Sequence, residues 1–293
     1  MDGPHAGRQR VSLRGLAESA RLSNLPTVWA PVLTAAALTD QPIATVRGLA
    51  AVVTLSALYI AGMLLNDLAD VRHDRARKPD RPIPAGRLRM KTAAVATAVC
   101  FSIAIVIPSL ISRPAMSLAA QLAAVIVAYD ALHKAGAWTA VFISACRALT
   151  YPLAAAMLVV GDAAQPIWPA ALAAAAYTGL LTLAARREDI PGVRIPAVVT
   201  IAVPLPFLLT ALAYQPEAWP PAITAAAVFL AVCAVATFHA ACGRIPAAVH
   251  GWLAALCLAD ALLVTLLGRP ELALVAAACW LITTIMQRRI AGT

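Results

Sequence analysis

Long apolar stretches separated by short polar segments follow one another along almost the whole chain. Each stretch has about 20 residues, which is enough to cross a hydrocarbon core of roughly 30 Å as an α-helix. Lipid offers no partners to backbone N–H and C=O groups, and the Ala, Leu and Val runs lack barrel-type alternation, so we expect helices. The pattern predicts ten spans, at residues 23–39, 46–66, 91–111, 116–133, 138–160, 167–186, 195–214, 219–241, 246–267 and 270–287.

The composition supports a polytopic membrane bundle and excludes a soluble domain. Hydrophobic residues make up 61% of the 293 residues and charged residues only 13%. We therefore assign residues 1–293 to one all-α transmembrane domain, with residues 1–20 as a basic cytoplasmic arm. The arm lacks a short apolar core with a small-residue cleavage site, so no signal peptide is predicted. The six cysteines show no metal-ligand spacing and are expected to be buried thiols.

Basic residues are concentrated in alternate loops. The segment between the second and third spans is rich in Arg and Lys, whereas the segments "TDQP", "GDAAQP" and "YQPEAWP" contain none. This positive-inside bias places both termini and the basic loops in the cytoplasm, and it explains the net charge of +9 without a nucleic-acid partner. Cytoplasmic termini require an even number of spans, and ten fits best. Merging one late span would give nine and move the C-terminus outside.

Carboxylates cluster where the second span ends, in "NDLADVRHDRARKPDRPIPAGRL" (residues 66–88). At 100° per helical residue, Asp67, Asp70 and Asp74 fall within an arc of roughly 60°. Three carboxylates so close repel one another, and a divalent cation relieves that repulsion. Mg²⁺ prefers carboxylate and phosphate oxygens and commonly uses few protein ligands. We predict a magnesium site at these three aspartates, and the alternative is a solvated helix stabilised by ion pairs.

Basic residues follow the aspartates directly and suit a phosphorylated substrate. Lys78 and Arg81 lie in the same loop, and Arg supplies a planar fork for phosphate oxygens while Lys supplies a point charge. Arg147 lies within an apolar span, where a charge is costly and functional by default. These positions predict that a diphosphate binds beside the carboxylates.

This stretch resembles the UbiA superfamily of intramembrane prenyltransferases. The resemblance rests on Asn66-Asp67-x-x-Asp70-x-x-x-Asp74 followed by "RPIPAG" at 81–86, and more loosely on "RLSNLPTVWAPVL" and "YDALHK". Membership implies an all-helical bundle of typically nine spans, with a central cavity that opens sideways to lipid. It also implies Mg²⁺-dependent transfer of a prenyl group, so ten spans would be a departure from the family.

The resemblance implies roles for further residues. Asn66 is expected to support the metal geometry, and Asn24 occupies a substrate-side position. Tyr129 and Tyr151 are candidates to stack against the prenyl cation. The remaining phosphate oxygens are expected to bind basic side chains, at Lys78, Arg81, Lys134, Arg147 and Arg187.

The second aspartate motif of the family is reduced in this chain. In "AARREDIPGVRIP" Arg187, Glu188 and Asp189 are present, but Val193 stands where a further aspartate is expected. Glu188 or Asp189 is expected to complete a reduced second metal site or to act as a base on the acceptor. The reduction also leaves room for a member without standard prenyl transfer.

The combined prediction is a Mg²⁺-dependent prenyltransferase that takes an isoprenoid from a polyprenyl diphosphate and gives it to a lipophilic or aromatic acceptor. We expect an integral protein of a bacterial cytoplasmic membrane, with the active-site loops in the cytoplasm. One alternative is a noncatalytic lipid-carrier binder or scaffold, and a weaker one is a transporter, for which no inverted repeat is visible. Asp130 either joins the phosphate site or pairs with Lys134, and we favour the pair. We expect Asp260 and His239 to serve helix–helix contacts.

Overall fold

A computed structural model describes residues 13–159, 166–186, 197–212 and 219–289. The N-terminal part contains α1 (Leu13–Ser19), a 3-10 helix (Leu22–Val28), α2 (Ala30–Thr39), α3 (Val46–Arg77), α4 (Met90–Ser109), α5 (Arg113–Leu132) and α6 (Ala140–Leu158). The remainder contains α7 (Trp168–Ala185), α8 (Ala197–Ala202), α9 (Leu205–Ala211), α10 (Trp219–Ala241), α11 (Ile245–Leu266) and α12 (Pro270–Arg289).

The all-helical membrane fold predicted from the apolar pattern is confirmed. Within the described ranges, eight helical segments are long and apolar enough to cross a membrane. They contain α3 to α7 and α10 to α12, and each coincides with one predicted span. The described residues contain no β-strand.

The other two predicted spans, the first and the seventh, are interrupted. The first consists of the 3-10 helix Leu22–Val28, which contains Pro26, followed by the ten-residue α2. In the seventh, α8 and α9 are separated at Val203 and Pro204. Proline has no N–H to donate and its ring clashes with the preceding turn, which disfavours a regular helix at Pro26 and Pro204. The effect depends on the surrounding packing, because α6 continues through Pro152.

Helix α3 continues well past the end of the second predicted span. Its 32 residues correspond to about 48 Å at about 1.5 Å per residue, which exceeds a hydrocarbon core of roughly 30 Å. The side chain of Thr45 caps its first turn by accepting from the Gly48 amide. The last turns of α3, which carry the aspartates, therefore extend beyond the apolar core.

Helix α11 lies in the centre of the bundle and α4 at its periphery. In the most apolar window of α11, 72% of the residues are buried, compared with 17% for α4. Helix α11 contacts α2, α7, α9, α10 and α12. Exposed valines on α4, at Val95, Val99 and Val106, leave an apolar face that suits lipid. Helix α2 contacts both α6 and the central α11, so polar side chains between these three helices are enclosed by protein.

Candidate active site

The loop after α3 folds back onto the helix and positions Arg81. The amide of Ala85 donates to the Arg81 carbonyl, and the amide of Leu88 donates to the Pro82 carbonyl. Ile83 and Leu88 are buried against Val71 of α3, in a small apolar cluster. Gly86 has a φ of 72°, a left-handed conformation that glycine adopts without strain. The segment "RPIPAG" therefore forms a compact turn that packs on α3.

Helix α1 packs closely against this loop. Glu18 forms ion pairs with Arg87 at 3.1 Å and with Arg14 at 3.0 Å. A Cβ on Gly15 would lie 2.9 Å from the Arg87 carbonyl oxygen, so any larger residue there would push α1 away. The described part of the predicted N-terminal arm thus covers the loop that carries Arg81.

Arg81 neutralises two of the three motif aspartates. Its Nη1 lies 2.7 Å from Asp74 Oδ2 and 3.8 Å from Asp67 Oδ1. The side chains of Arg81, Asp67 and Asp74 are 11%, 8% and 3% exposed. Because buried carboxylates are costly unless paired, this shared guanidinium allows both to be enclosed at the end of α3.

Asp70 faces a different set of basic groups, at the end of α5. Its Oδ1 lies 2.6 Å from Lys134 Nζ and 3.1 Å from His133 Nε2. The other ring nitrogen of His133, Nδ1, lies 3.0 Å from the backbone oxygen of Asp130. Both ring nitrogens thus face oxygen acceptors. The motif helix is therefore held by charged groups from two sides.

Asn66 connects the start of the motif to α5. Its Nδ2 donates to Asp130 Oδ1 at 3.0 Å. Asp130 is buried, and its Oδ2 accepts no hydrogen bond from the described residues. The expectation that Asp130 pairs with Lys134 is wrong, because Lys134 reaches across to Asp70 instead.

The donor set suits a hard divalent cation by its chemistry. Asp67, Asp70, Asp74 and Asn66 offer carboxylate and amide oxygens, the ligand types that Mg²⁺ prefers. Among the described residues, however, no group of three or more acidic, histidine or cysteine side chains converges as a metal site. The carboxylates instead pair with Arg81 and Lys134, so a cation at this site would bind by replacing those contacts.

A second polar cluster involves α6, the 3-10 helix and α12. Arg147 Nη1 donates to the Thr27 carbonyl at 2.9 Å. Asn24 Oδ1 accepts from Gln287 Nε2 at 2.8 Å. No acidic side chain among the described residues forms an ion pair with Arg147. The 3-10 helix of the first span thus supplies a backbone carbonyl, that of Thr27, as an acceptor for the half-buried Arg147 guanidinium.

The two predicted aromatic residues occupy different environments. Tyr129 is half-buried beside Asp130, and its ring centroid lies 5.7 Å from that of His133. Tyr151 is completely buried, and its hydroxyl donates to Asp260 Oδ1 at 2.9 Å. Thr34 donates to the same oxygen at 2.6 Å, so α2, α6 and α11 meet at Asp260. The helix–helix role expected for Asp260 is thereby confirmed.

The remaining predicted residues lie at the loop or outside the described ranges. Lys78 ends α3 as an exposed residue, and its amide donates to the Asp74 carbonyl at 2.8 Å. Arg187, Glu188 and Asp189 belong to the second motif and lie outside the described residues. The roles of these four residues stay predictions.

One residue near the motif carries no sequence signal beyond its charge. Arg21 has a φ of 47°, an uncommon left-handed backbone conformation for a residue other than glycine. Its carbonyl accepts from Tyr59 OH at 3.3 Å, and from the Asn24 amide at 2.9 Å. The short turn between α1 and the 3-10 helix contains this left-handed residue, which spacing alone does not predict.

Comparisons with known proteins agree with this arrangement. The UbiA prenyltransferase family matches residues 24–194, more than half of the chain. A digeranylgeranylglyceryl phosphate synthase from Metallosphaera sedula is 30% identical over 145 residues, which is 49% of each chain. One from Sulfurisphaera tokodaii is 29% identical over 73 residues, 25% of this chain and 26% of the other. The matched region thus spans half or less of these curated relatives.

Solved structures share the fold. The apo structure of a UbiA homolog from Aeropyrum pernix K1 has a TM-score of 0.65 at 17% identity, and the match covers 82% of this chain and 95% of that one. A structure described for digeranylgeranylglyceryl phosphate synthase has a TM-score of 0.55 at 16% identity, with 94% and 97% coverage. The family match includes the aspartate motif and the loop that folds Arg81 onto it. The chain belongs to the UbiA prenyltransferase family.

Proposed function

We propose that this protein is a Mg²⁺-dependent intramembrane prenyltransferase that acts on a polyprenyl diphosphate. The observation that carries the proposal is the end of α3, where Asp67, Asp70 and Asp74 lie beyond the apolar core. Arg81 approaches these carboxylates at 2.7 Å and Lys134 at 2.6 Å. Closely spaced carboxylates and cations at a membrane edge match a substrate with a charged diphosphate and a long apolar tail.

The motif residues are proposed to hold the metal. Asp67, Asp70 and Asp74 would bind the cation, with Asn66 as an additional oxygen ligand. Bound Mg²⁺ supplies positive charge to the diphosphate oxygens that gain electron density when the C–O bond breaks. Family membership supports a divalent metal, and the identity of the ion as Mg²⁺ is part of the proposal.

The basic residues are proposed to bind and orient the diphosphate. Arg81 and Lys134 already lie beside carboxylates, so they can exchange a carboxylate oxygen for a phosphate oxygen with little movement. Lys78 adds a further charge at the end of α3. Fixed cations next to the leaving group stabilise its developing negative charge without reorganising during the reaction. In that step the electron pair of the C–O bond leaves with the diphosphate.

The surrounding helices are proposed to protect the allylic carbon from water. An allylic cation must meet its acceptor before it meets water, and a site enclosed by apolar helices favours that order. Tyr129 lies one residue before Asp130, where its ring can face a cation. Tyr151 is proposed to contribute a ring deeper in the bundle. Glu188 or Asp189 would complete a reduced second metal site or accept the proton of the acceptor.

The acceptor is proposed to be a lipophilic or aromatic molecule. The names of the relatives refer to a lipid with a glyceryl phosphate headgroup, which makes a phosphorylated lipid one candidate. Arg147 would bind an anionic headgroup of the acceptor. Its described partners are Thr27 oxygens, and none of them is acidic. Asn24 would lie on the substrate side of the same cluster. We propose that the active-site loops lie on the cytoplasmic side of a bacterial inner membrane, in line with the positive-inside bias.

The test uses the purified full chain in proteoliposomes with a radiolabelled prenyl diphosphate. Acceptors of three classes, phosphorylated lipids, quinone precursors and small aromatics, are added with Mg²⁺ or with EDTA. We expect a labelled lipid product that forms with Mg²⁺ and not with EDTA. Absence of product with every acceptor class, in membranes where the chain is folded, would reject prenyl transfer.

A noncatalytic lipid-diphosphate binder is the second candidate. It is favoured by the internal pairing of the motif carboxylates, because Arg81 and Lys134 already neutralise them. Such a protein would bind a prenyl diphosphate with measurable affinity and release it unchanged. Binding without turnover in the same proteoliposomes would therefore favour this candidate.

A further inference from the structure

Asp130 lies outside the aspartate motif and yet touches its first residue. The two belong to different helices, since Asn66 is on α3 and Asp130 is the third residue from the end of α5. The hydrogen bond between Asn66 Nδ2 and Asp130 Oδ1 is 3.0 Å long. Because an ionised carboxylate only accepts hydrogen bonds, it must face the NH₂ end of the amide and not the carbonyl end. The contact thus determines which end of the Asn66 amide stays available.

The burial of Asp130 makes a purely incidental contact a poor explanation. Asp130 is 7% exposed, and its Oδ2 accepts no hydrogen bond from the described residues. A buried acidic group with one unsatisfied oxygen carries a free-energy cost that a neutral side chain would avoid. If the contact served only to hold α3 against α5, a neutral amide at position 66 or 130 could make it. The presence of a carboxylate at Asp130 is explained if the orientation of the Asn66 amide matters for function.

The end of α5 also holds the middle of the motif. The backbone oxygen of Asp130 is 3.0 Å from His133 Nδ1, and His133 Nε2 lies 3.1 Å from Asp70. One short segment of α5 and its following turn therefore contacts both Asn66 and Asp70. These two contacts lie four residues apart on α3, about one helical turn.

We propose that Asp130 is a positioning residue that orients the amide oxygen of Asn66 toward the cation. This inference rests on the proposed function and adds a residue that the motif does not contain. Asp130 acts only through Asn66 and does not bind substrate itself. Partners that orient a metal ligand in this way typically affect metal affinity or activity by about 10- to 100-fold when they are removed.

A charge-swapped pair gives a sharp test. Asn66→Asp places two carboxylates against each other, and Asp130→Asn allows the Asn66 amide to bond in either orientation. The double variant Asn66→Asp with Asp130→Asn restores a single complementary arrangement, because only the amide at position 130 can then donate. Asp260→Asn is the matched control, since Asp260 is also a buried acid with an unsatisfied oxygen but lies away from the motif.

The measurement is Mn²⁺ binding to the detergent-solubilised full chain with inorganic pyrophosphate, followed by electron paramagnetic resonance. We expect each single variant to bind Mn²⁺ about tenfold more weakly than the wild type. The double variant should recover to within about threefold, and Asp260→Asn should bind as the wild type does. Thermal unfolding of each variant in EDTA separates loss of affinity from loss of folding.

Three results would overturn the positioning role, and they differ in what they mean for the proposed function. If the wild type binds Mn²⁺ and Asp130→Asn binds it equally tightly, Asp130 is only a structural contact and the proposed function is unaffected. If both single variants weaken binding and the double variant is no better than either, orientation of Asn66 is not the cause. If the wild type binds no Mn²⁺, the metal-dependent function and the positioning role fall together.

Discussion

Arg81 donates to Asp74 at 2.7 Å although α3 ends between the two residues. The contact exists because the turn at 81–86 folds back onto the last turns of the helix. Its consequence is competition, since Arg81 and a divalent cation would neutralise the same carboxylates. The Arg81 guanidinium would therefore have to shift its contacts if the proposed cation and diphosphate bind at these carboxylates.

Arg81→Gln should therefore make stability depend on Mg²⁺. Removing one partner of a buried ion pair leaves an uncompensated charge and costs about 3–5 kcal/mol. In EDTA we expect that loss in full, and saturating Mg²⁺ should recover part of it by neutralising Asp67 and Asp74. Thermal unfolding in detergent, with EDTA and with Mg²⁺, measures the difference.

Arg269→Gln is the matched control for that experiment. Arg269 pairs with Asp40 and Glu271 at the opposite membrane edge, and the Asp40 side chain is 94% exposed. We expect a small effect of this substitution that is the same with and without Mg²⁺. An equal loss for Arg81→Gln in both buffers would argue against competition between Arg81 and the cation.

The motif carboxylates should be needed for turnover. Asp67→Asn and Asp70→Asn each remove one negative charge while keeping the size of the side chain. We expect a loss of about 10²- to 10³-fold in prenyl transfer, the range for removing one group that stabilises transition-state charge. Initial rates in proteoliposomes at saturating Mg²⁺ provide the measurement.

Asp40→Asn serves as the control for the motif substitutions. Asp40 is exposed and has a φ of 50°, a conformation that asparagine tolerates. Its turnover should stay close to that of the wild type. Unchanged turnover in both Asp67→Asn and Asp70→Asn would reject the metal assignment.

The spacing of the aspartates predicted their helical face but not their partners. Asp67 and Asp74 are seven residues apart and differ by only about 20° around the helix, whereas Asp70 diverges from Asp67 by about 60°. This difference explains why the first two share Arg81 while Asp70 meets Lys134. The direction from which α5 approaches α3 depends on tertiary packing, which a local pattern does not contain.

Other features depended on the backbone or on distant residues. Hydropathy predicted regular spans at 23–39 and 195–214, whereas the described residues there form shorter helical pieces with Pro26 in the first and Pro204 between α8 and α9. The pairing of Asn66 with Asp130 joins residues 64 positions apart. The sequence favoured the nearby Lys134 as the partner of Asp130. The chain instead ends α5 at Leu132, so Lys134 lies in a 3-10 turn and points to α3.

Lys134 should contribute to substrate binding more than to stability. Its side chain is 55% exposed, and His133 still lies 3.1 Å from Asp70 when Lys134 is replaced, so we expect only a small loss of folding free energy. In Lys134→Ala we expect the KM for the prenyl diphosphate to rise about tenfold, because a charged hydrogen bond to phosphate is lost. Steady-state kinetics and thermal unfolding of the same preparation separate the two effects.

Lys91→Ala removes the same charge from the same predicted side of the membrane. Lys91 is exposed at the start of α4 and lies outside the proposed site. Its KM should stay within about twofold of the wild type if electrostatic steering by the loop as a whole is weak. Equal increases for Lys91→Ala and Lys134→Ala would indicate a general charge effect and not a contact.

Tyr151→Phe and Thr34→Val each remove one of the two donors to Asp260 Oδ1. Hydrogen bonds between membrane helices contribute about 0.6 kcal/mol on average and up to about 1.7 kcal/mol. We expect each single variant to lose roughly that amount of unfolding free energy, and the double variant to lose more than the sum because Asp260 keeps no described donor. Since phenylalanine retains the ring, turnover of Tyr151→Phe should stay near that of the wild type. Denaturant unfolding in micelles and prenyl transfer are measured on the same samples, and a loss of turnover without a loss of stability would instead place the Tyr151 hydroxyl at the substrate.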